Sequence, residues 1–237
     1  MTMHTLPADP GTRDGSAPIH VLLVDDHPAV RHGVRQLIAD QPDMVMIAEH
    51  GSASRDTSAV ARWADMAIID YHLGDRDGLW LTRQIKRDPD APPVLIYSAF
   101  ADTTLAVAAI VAGADGMLPK ATLAEELTIA VRRLVHGRQY FPAIPASVAA
   151  ALSARLTPED QAIVSMLIHG VPANEIALRL GMSTGELDTR RELIVRAIAP
   201  KGVRAGVPAA PGLVLDYDRP VRRQRYRSRR GDNTLRG

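Results

Sequence analysis

The chain has no cysteine among its 237 residues, so disulfides and thiolate metal sites are excluded and any metal must be held by oxygen or imidazole. No apolar run approaches the roughly 18 residues that a membrane span requires. The opening MTMHTLPADPGTRDGSAP lacks a basic stretch followed by an apolar core. It is read as a flexible lead-in over 1–18 and not as an export signal. Together these absences predict a cytoplasmic protein with no membrane partner.

What is present is an ordinary globular body, 46% hydrophobic and 23% charged, long enough for one large domain or two small ones at roughly 100 to 200 residues each. The net charge of +1 conceals an asymmetry. Residues 201–237 carry Lys201 and nine arginines against Asp216, Asp218 and Asp232, a net of +7, which leaves −6 for the first 200 residues. The body is acidic and the end of the chain is basic.

From Ile19 onward, short β-rich runs alternate with helically spaced segments: IHVLLVD then VRHGVRQLI, MVMIAEH then SRDTSAVARW, MAIID then GLWLTRQIK, PVLIYSA then TTLAVAAIVA, DGMLP then LAEELTIAVRRLV. Five βα units with right-handed crossovers predict a doubly wound, five-stranded parallel α/β domain over 19–136. GRQYFPAIPAS, with two prolines and no period, marks a linker over 137–154. A small all-α region over 155–199 follows, with Gly170 and Gly181 as helix stops and Ser183 and Glu186 at capping-box spacing. Residues 200–237 hold too few apolar side chains for a core and are read as a basic disordered tail.

In such sheets ligands bind beyond the carboxyl ends of the strands. There the sequence places Asp25 and Asp26 after strand one, Asp70 after strand three, Ser98 at the end of strand four and Lys120 after strand five. Three carboxylates, a hydroxyl and an ammonium on one rim suit Mg²⁺, which relieves the repulsion between Asp25 and Asp26 and can hold phosphoryl oxygens. Asp70 can act as a nucleophile towards phosphorus, with Ser98 and Lys120 contacting the other phosphoryl oxygens. For His27, in a loop before proline, a solvated side chain is preferred to an imidazole ligand, and Trp63 and Trp80 are read as core or rim packing.

VDDHP, Asp70, Ser98 and GADGMLPK at these spacings resemble the receiver domains of two-component response regulators, and LTPEDQAIVSMLIHG with NEIALRL and Ser183 resembles the LuxR-type helix-turn-helix output of the NarL/FixJ class. The resemblance spans about residues 19–198. It implies a flavodoxin-like receiver in which Asp70 is the phosphoacceptor. Mg²⁺ would be held by Asp26 and Asp70, by Asp25 through water, and by the backbone carbonyl of His72. Ser98 and Lys120 would sense the phosphoryl group, and a sensor histidine kinase would donate it. Nothing beyond this site looks catalytic, so a stand-alone enzyme is not expected. Two departures concern coupling: Met117 stands where the family usually has an aromatic, and Gly74 where many relatives have proline, which should loosen the acceptor loop.

The resemblance also implies a recognition helix beginning near Ser183 and entering the major groove of DNA as part of a homodimer. Arg190 and Arg191 are then candidates for phosphate contact, and Thr189 for a base edge. Yet residues 155–199 contain no lysine, and Asp188 and Glu192 stand at usually basic or polar positions. Two readings stay open. One is a phosphorylation-dependent transcriptional regulator, helped by its basic tail; the other is a signalling adaptor whose helical region docks a protein.

Overall fold

The computed structural model describes residues 17–74 and 76–199 and the backbone of 214–215. Strands β1 (Ile19–Val24), β2 (Met44–His50), β3 (Met66–Ile69), β4 (Val94–Ser98) and β5 (Gly116–Pro119) form one parallel sheet in the order β2-β1-β3-β4-β5. The strand order reverses direction between β1 and β3, which opens a crevice at their carboxyl ends.

The central strands are buried on both faces, as their unbroken Val, Ile and Leu runs require. One face is covered by α1 (Pro28–Ala39) and α5 (Ala124–Val135), through Val34, Ile38, Leu127 and Val131. The other is covered by α2 (Arg55–Val60), α3 (Gly78–Lys86) and α4 (Thr103–Ala112). Asp77 caps α3 by accepting from the Trp80 N–H, and Asp102 caps α4 by accepting from the Leu105 N–H.

Helix α4 differs from α1 and α5. Its sequence TTLAVAAIVA has no polar stripe, and Leu105 through Ala112 are all buried. A helix apolar all round must be covered on every side. Its outer side meets α6 (Ala146–Ser153), α7 (Pro158–Ile168) and α9 (Thr184–Ile198), while α8 (Ala173–Leu180) packs on α7 and α9. Leu105, Val107 and Val111 of α4 therefore share one core with Ile163, Val164, Leu187, Ile194 and Val195 of the helical region.

Gly170 and Gly181 adopt positive φ immediately after α7 and α8, and Ser183 with Glu186 makes a full capping box on α9. Two expectations, for the linker and for Trp63, are corrected. The supposed linker contains α6, begun at Pro145 because proline suits a helix start, and a two-residue strand, Phe141–Pro142, paired with Val214–Leu215. Gly74, with φ of 72°, turns a small hairpin in which His72 pairs with Asp77 and Leu73 with Arg76. Trp63 is 68% exposed, whereas Trp80 packs against the core beneath the Arg76 guanidinium at 4.2 Å. Apart from the backbone of 214–215, the basic tail and the lead-in through residue 16 lie outside the described residues.

Candidate functional site at the strand ends

Strand register assembles the site. Val24 pairs with Ile69, so the next residue of each strand, Asp25 and Asp70, stand side by side, and the Asp70 N–H donates to the Val24 carbonyl at 2.7 Å. Ser98 pairs with Pro119, and the Lys120 N–H then donates to the Ser98 carbonyl at 2.8 Å. Asp25, Asp70 and Ser98 are buried at the base of the crevice.

The Lys120 ammonium bridges the two buried carboxylates, 2.6 Å from Asp25 Oδ2 and 2.7 Å from Asp70 Oδ2. Burial pushes the Asp70 carboxyl above its ordinary value; the Lys120 hydrogen bond and charge pull it down, and the Asp25 charge pushes it up. Gly78 is forced by close approach here, because a Cβ would lie 2.1 Å from the Asp70 carbonyl oxygen.

Asp25, Asp26, His27 and Asp70 bring one donor atom each to within 4.8 Å of one another. Asp25 Oδ2 and Asp26 Oδ1 are buried and accept no hydrogen bond. For Asp25 Oδ2 the Lys120 ammonium compensates charge by proximity yet leaves the oxygen without a directed donor. Buried carboxylate oxygens without donors, in an all-oxygen-plus-imidazole set, fit a hard divalent cation such as Mg²⁺.

His27 is both solvated and in contact with the acidic group. Its side chain is 64% exposed, but Nδ1 lies 2.6 Å from Asp26 Oδ1, 3.6 Å from Asp25 Oδ1 and 3.9 Å from Asp70 Oδ2. The turn after β1 produces this, with the His27 N–H donating to Asp25 Oδ1 at 2.9 Å. The His72 ring makes edge contacts with Tyr71 and Phe100, linking the loop after Asp70 to the loop after Ser98. Burial, with Asp77 and Asp102 nearby, pushes the Tyr71 hydroxyl up to about 12. The Ser98 hydroxyl accepts from the Phe100 N–H at 3.2 Å. Met117 is buried.

The candidate DNA-contacting residues share α9, but each has a partner within the chain. Arg191 is buried against α4, its Nε–H donating to the Val111 carbonyl at 2.7 Å, with Asp188 at 3.3 Å. Arg190 bonds Asp160 at 2.8 Å and also pairs with Glu159, and the Thr189 hydroxyl donates to the Gly185 carbonyl at 3.0 Å. Glu192, expected to face DNA, pairs with Arg196 at 2.6 Å and lies 3.7 Å from Arg83 of α3. The all-apolar α4 was the available sequence signal that another element covers it.

Residues 21–132 match the response regulator receiver domain family. Among curated proteins, the transcriptional regulatory protein UhpA of Salmonella typhimurium is 32% identical over 175 residues, which are 73% of this chain and 88% of UhpA. The DNA-binding transcriptional activator DevR/DosR of Mycobacterium tuberculosis is 29% identical, over 81% of this chain and 92% of its own. Among solved structures, a LuxR-family two-component response regulator from Aurantimonas sp. SI85-9A1 is similar at a TM-score of 0.50 and 29% identity, covering 58% of this chain and 97% of that one.

Proposed function

This chain belongs to the two-component response regulators of the LuxR/NarL class, and from that premise we propose that it is a transcriptional regulator switched by phosphorylation of Asp70. The observation that carries the reading is the Asp70 carboxylate, buried, bonded to Lys120 and set beside Asp25 by strand register. Transfer proceeds by attack of an Asp70 carboxylate oxygen on the phosphorus of a kinase phosphohistidine. A P–O bond forms, the P–N bond breaks, and its electron pair stays on the departing imidazole.

Asp26 and Asp70, Asp25 through water and the His72 carbonyl would hold Mg²⁺, which when bound supplies charge to the phosphoryl oxygens. The Lys120 ammonium, held at Asp70, is placed to follow the new phosphoryl group, and the Ser98 hydroxyl to hydrogen-bond it. Both residues adjoin the β4 and β5 ends, whose following segments lead into α4 and α5.

Burial of Arg191 of α9 on α4 makes the described conformation a closed one in which that arginine is withheld from nucleic acid. Phosphorylation shifts the population towards a form with α9 free to enter the major groove, as a homodimer on paired half-sites. Of the two readings left open by the sequence, DNA is favoured over a docked protein because the relative DevR/DosR is itself a DNA-binding activator. The test is binding of the full chain to genomic fragments across a salt series, with and without a small acyl-phosphate donor. Fragment-selective binding that the donor strengthens is expected; binding that never selects a fragment overturns the reading.

A further inference from the structure

Resting on the divalent-ion site just described, the geometry points to one more ligand: we propose that the His27 imidazole completes that site through Nδ1 and makes it prefer divalent transition ions such as Mn²⁺ over Mg²⁺. Three observations carry this. His27 Nδ1 belongs to the group of four donor atoms that lie within 4.8 Å of one another. It stands 2.6 Å from Asp26 Oδ1 and 3.9 Å from Asp70 Oδ2, facing the two carboxylates that would hold the ion directly. Finally, the position is fixed by main chain and not by a flexible side chain alone, since the His27 N–H is tied to Asp25 Oδ1 and Pro28 begins α1 directly after it.

The chemical consequence follows from ligand softness. Carboxylates alone suit Mg²⁺, which demands oxygen and keeps several waters. Replacing one of those waters by an imidazole nitrogen adds little for Mg²⁺ and more for borderline ions, whose affinity for nitrogen rises along the first transition row. The acidic site would then discriminate among the metals offered to it, with His27 as the discriminating ligand.

The experiment is titration of the full chain with Mn²⁺ and with Mg²⁺ by calorimetry, together with pulsed electron paramagnetic resonance of the Mn²⁺ form, for wild type, His27→Ala and His72→Ala. Expected is a nitrogen coupling to Mn²⁺ in wild type and in His72→Ala that disappears in His27→Ala. In that variant Mn²⁺ affinity should fall about tenfold or more while Mg²⁺ affinity holds within about twofold. Mn²⁺ binding without nitrogen coupling, or equal losses for both ions in His27→Ala, overturns the assignment of His27 and leaves the carboxylate site standing. Failure of wild type to bind either ion overturns the site as well.

Discussion

The strand-end rim and helix α9 both concentrate charge, but they dispose of it in opposite ways. At the rim, Asp25 and Asp70 converge on one ammonium with Asp26 beside them, and Asp25 Oδ2 and Asp26 Oδ1 are buried without a directed hydrogen bond. On α9, Arg190, Arg191, Glu192 and Arg196 each have a partner within the chain. The rim is thus arranged for something that arrives, and α9 for something already there. The fully paired α9 gains nothing from a ligand until its contacts with α3 and α4 are broken.

The largest break in this comparison is Asp70→Asn. Loss of the nucleophilic oxygen should abolish labelling by an acyl-phosphate donor, read by mass spectrometry. The same change should raise thermal stability at neutral pH. Asp70 is held above its ordinary value of 3.8, so the folded protein takes up that proton at a higher pH than the unfolded chain does. Its contribution favours folding most at acidic pH and is lost as pH rises through the folded-state value. The advantage of Asn over Asp in unfolding midpoint should therefore widen from acidic to neutral pH; an advantage that narrows would refute the direction assigned to Asp70.

On α9 the corresponding change is Arg191→Ala, which removes a buried charged donor and leaves the Val111 carbonyl without one. A hydrogen bond of this kind contributes about 1.5–3 kcal/mol. The unfolding midpoint should drop accordingly, and amide exchange along α9 should quicken while that of β1 does not. Gly113→Ala attacks the same contact from the other side. Gly113 has φ of 98°, and its Cβ would meet Arg191 Nη2 at 2.7 Å. The left-handed backbone alone costs alanine about 1–2 kcal/mol, so a loss in that range by chemical denaturation is expected.

The rim was legible in the sequence because each of its residues ends an apolar run, and a parallel sheet aligns such ends whatever the exact register. Asp25, Asp26, Asp70, Ser98 and Lys120 follow from that rule alone. His27 did not, because its approach depends on how the chain turns after β1, a three-residue matter that periodicity does not encode. Helix α6 was hidden by Pro142 and Pro145, which end a strand pairing and start a helix here instead of marking irregular chain. For α4 the signal was present, since a helix with no polar stripe must be covered. What covers it was not, because an apolar face states that it is buried and not by whom. For the acidic residues of α9 the sequence likewise did not name a partner: Glu192 reads as repulsion for DNA, and in this fold it lies between Arg83 and Arg196.

Glu192→Gln asks how much of the α9 contact is electrostatic, and it should have the smallest effect. The Arg83 pair spans 3.7 Å and the Arg196 pair is within one helix, with the Glu192 side chain 32% exposed. Partly exposed pairs of this kind contribute about 0–1 kcal/mol and are screened by salt. Any loss of stability should lie within that range at low salt and shrink as salt is added, while the loss in Arg191→Ala, which rests on a buried guanidinium and a backbone carbonyl, should persist. Equal salt sensitivity in the two variants would mean that α9 is held to the receiver by charge and not by the apolar face of α4.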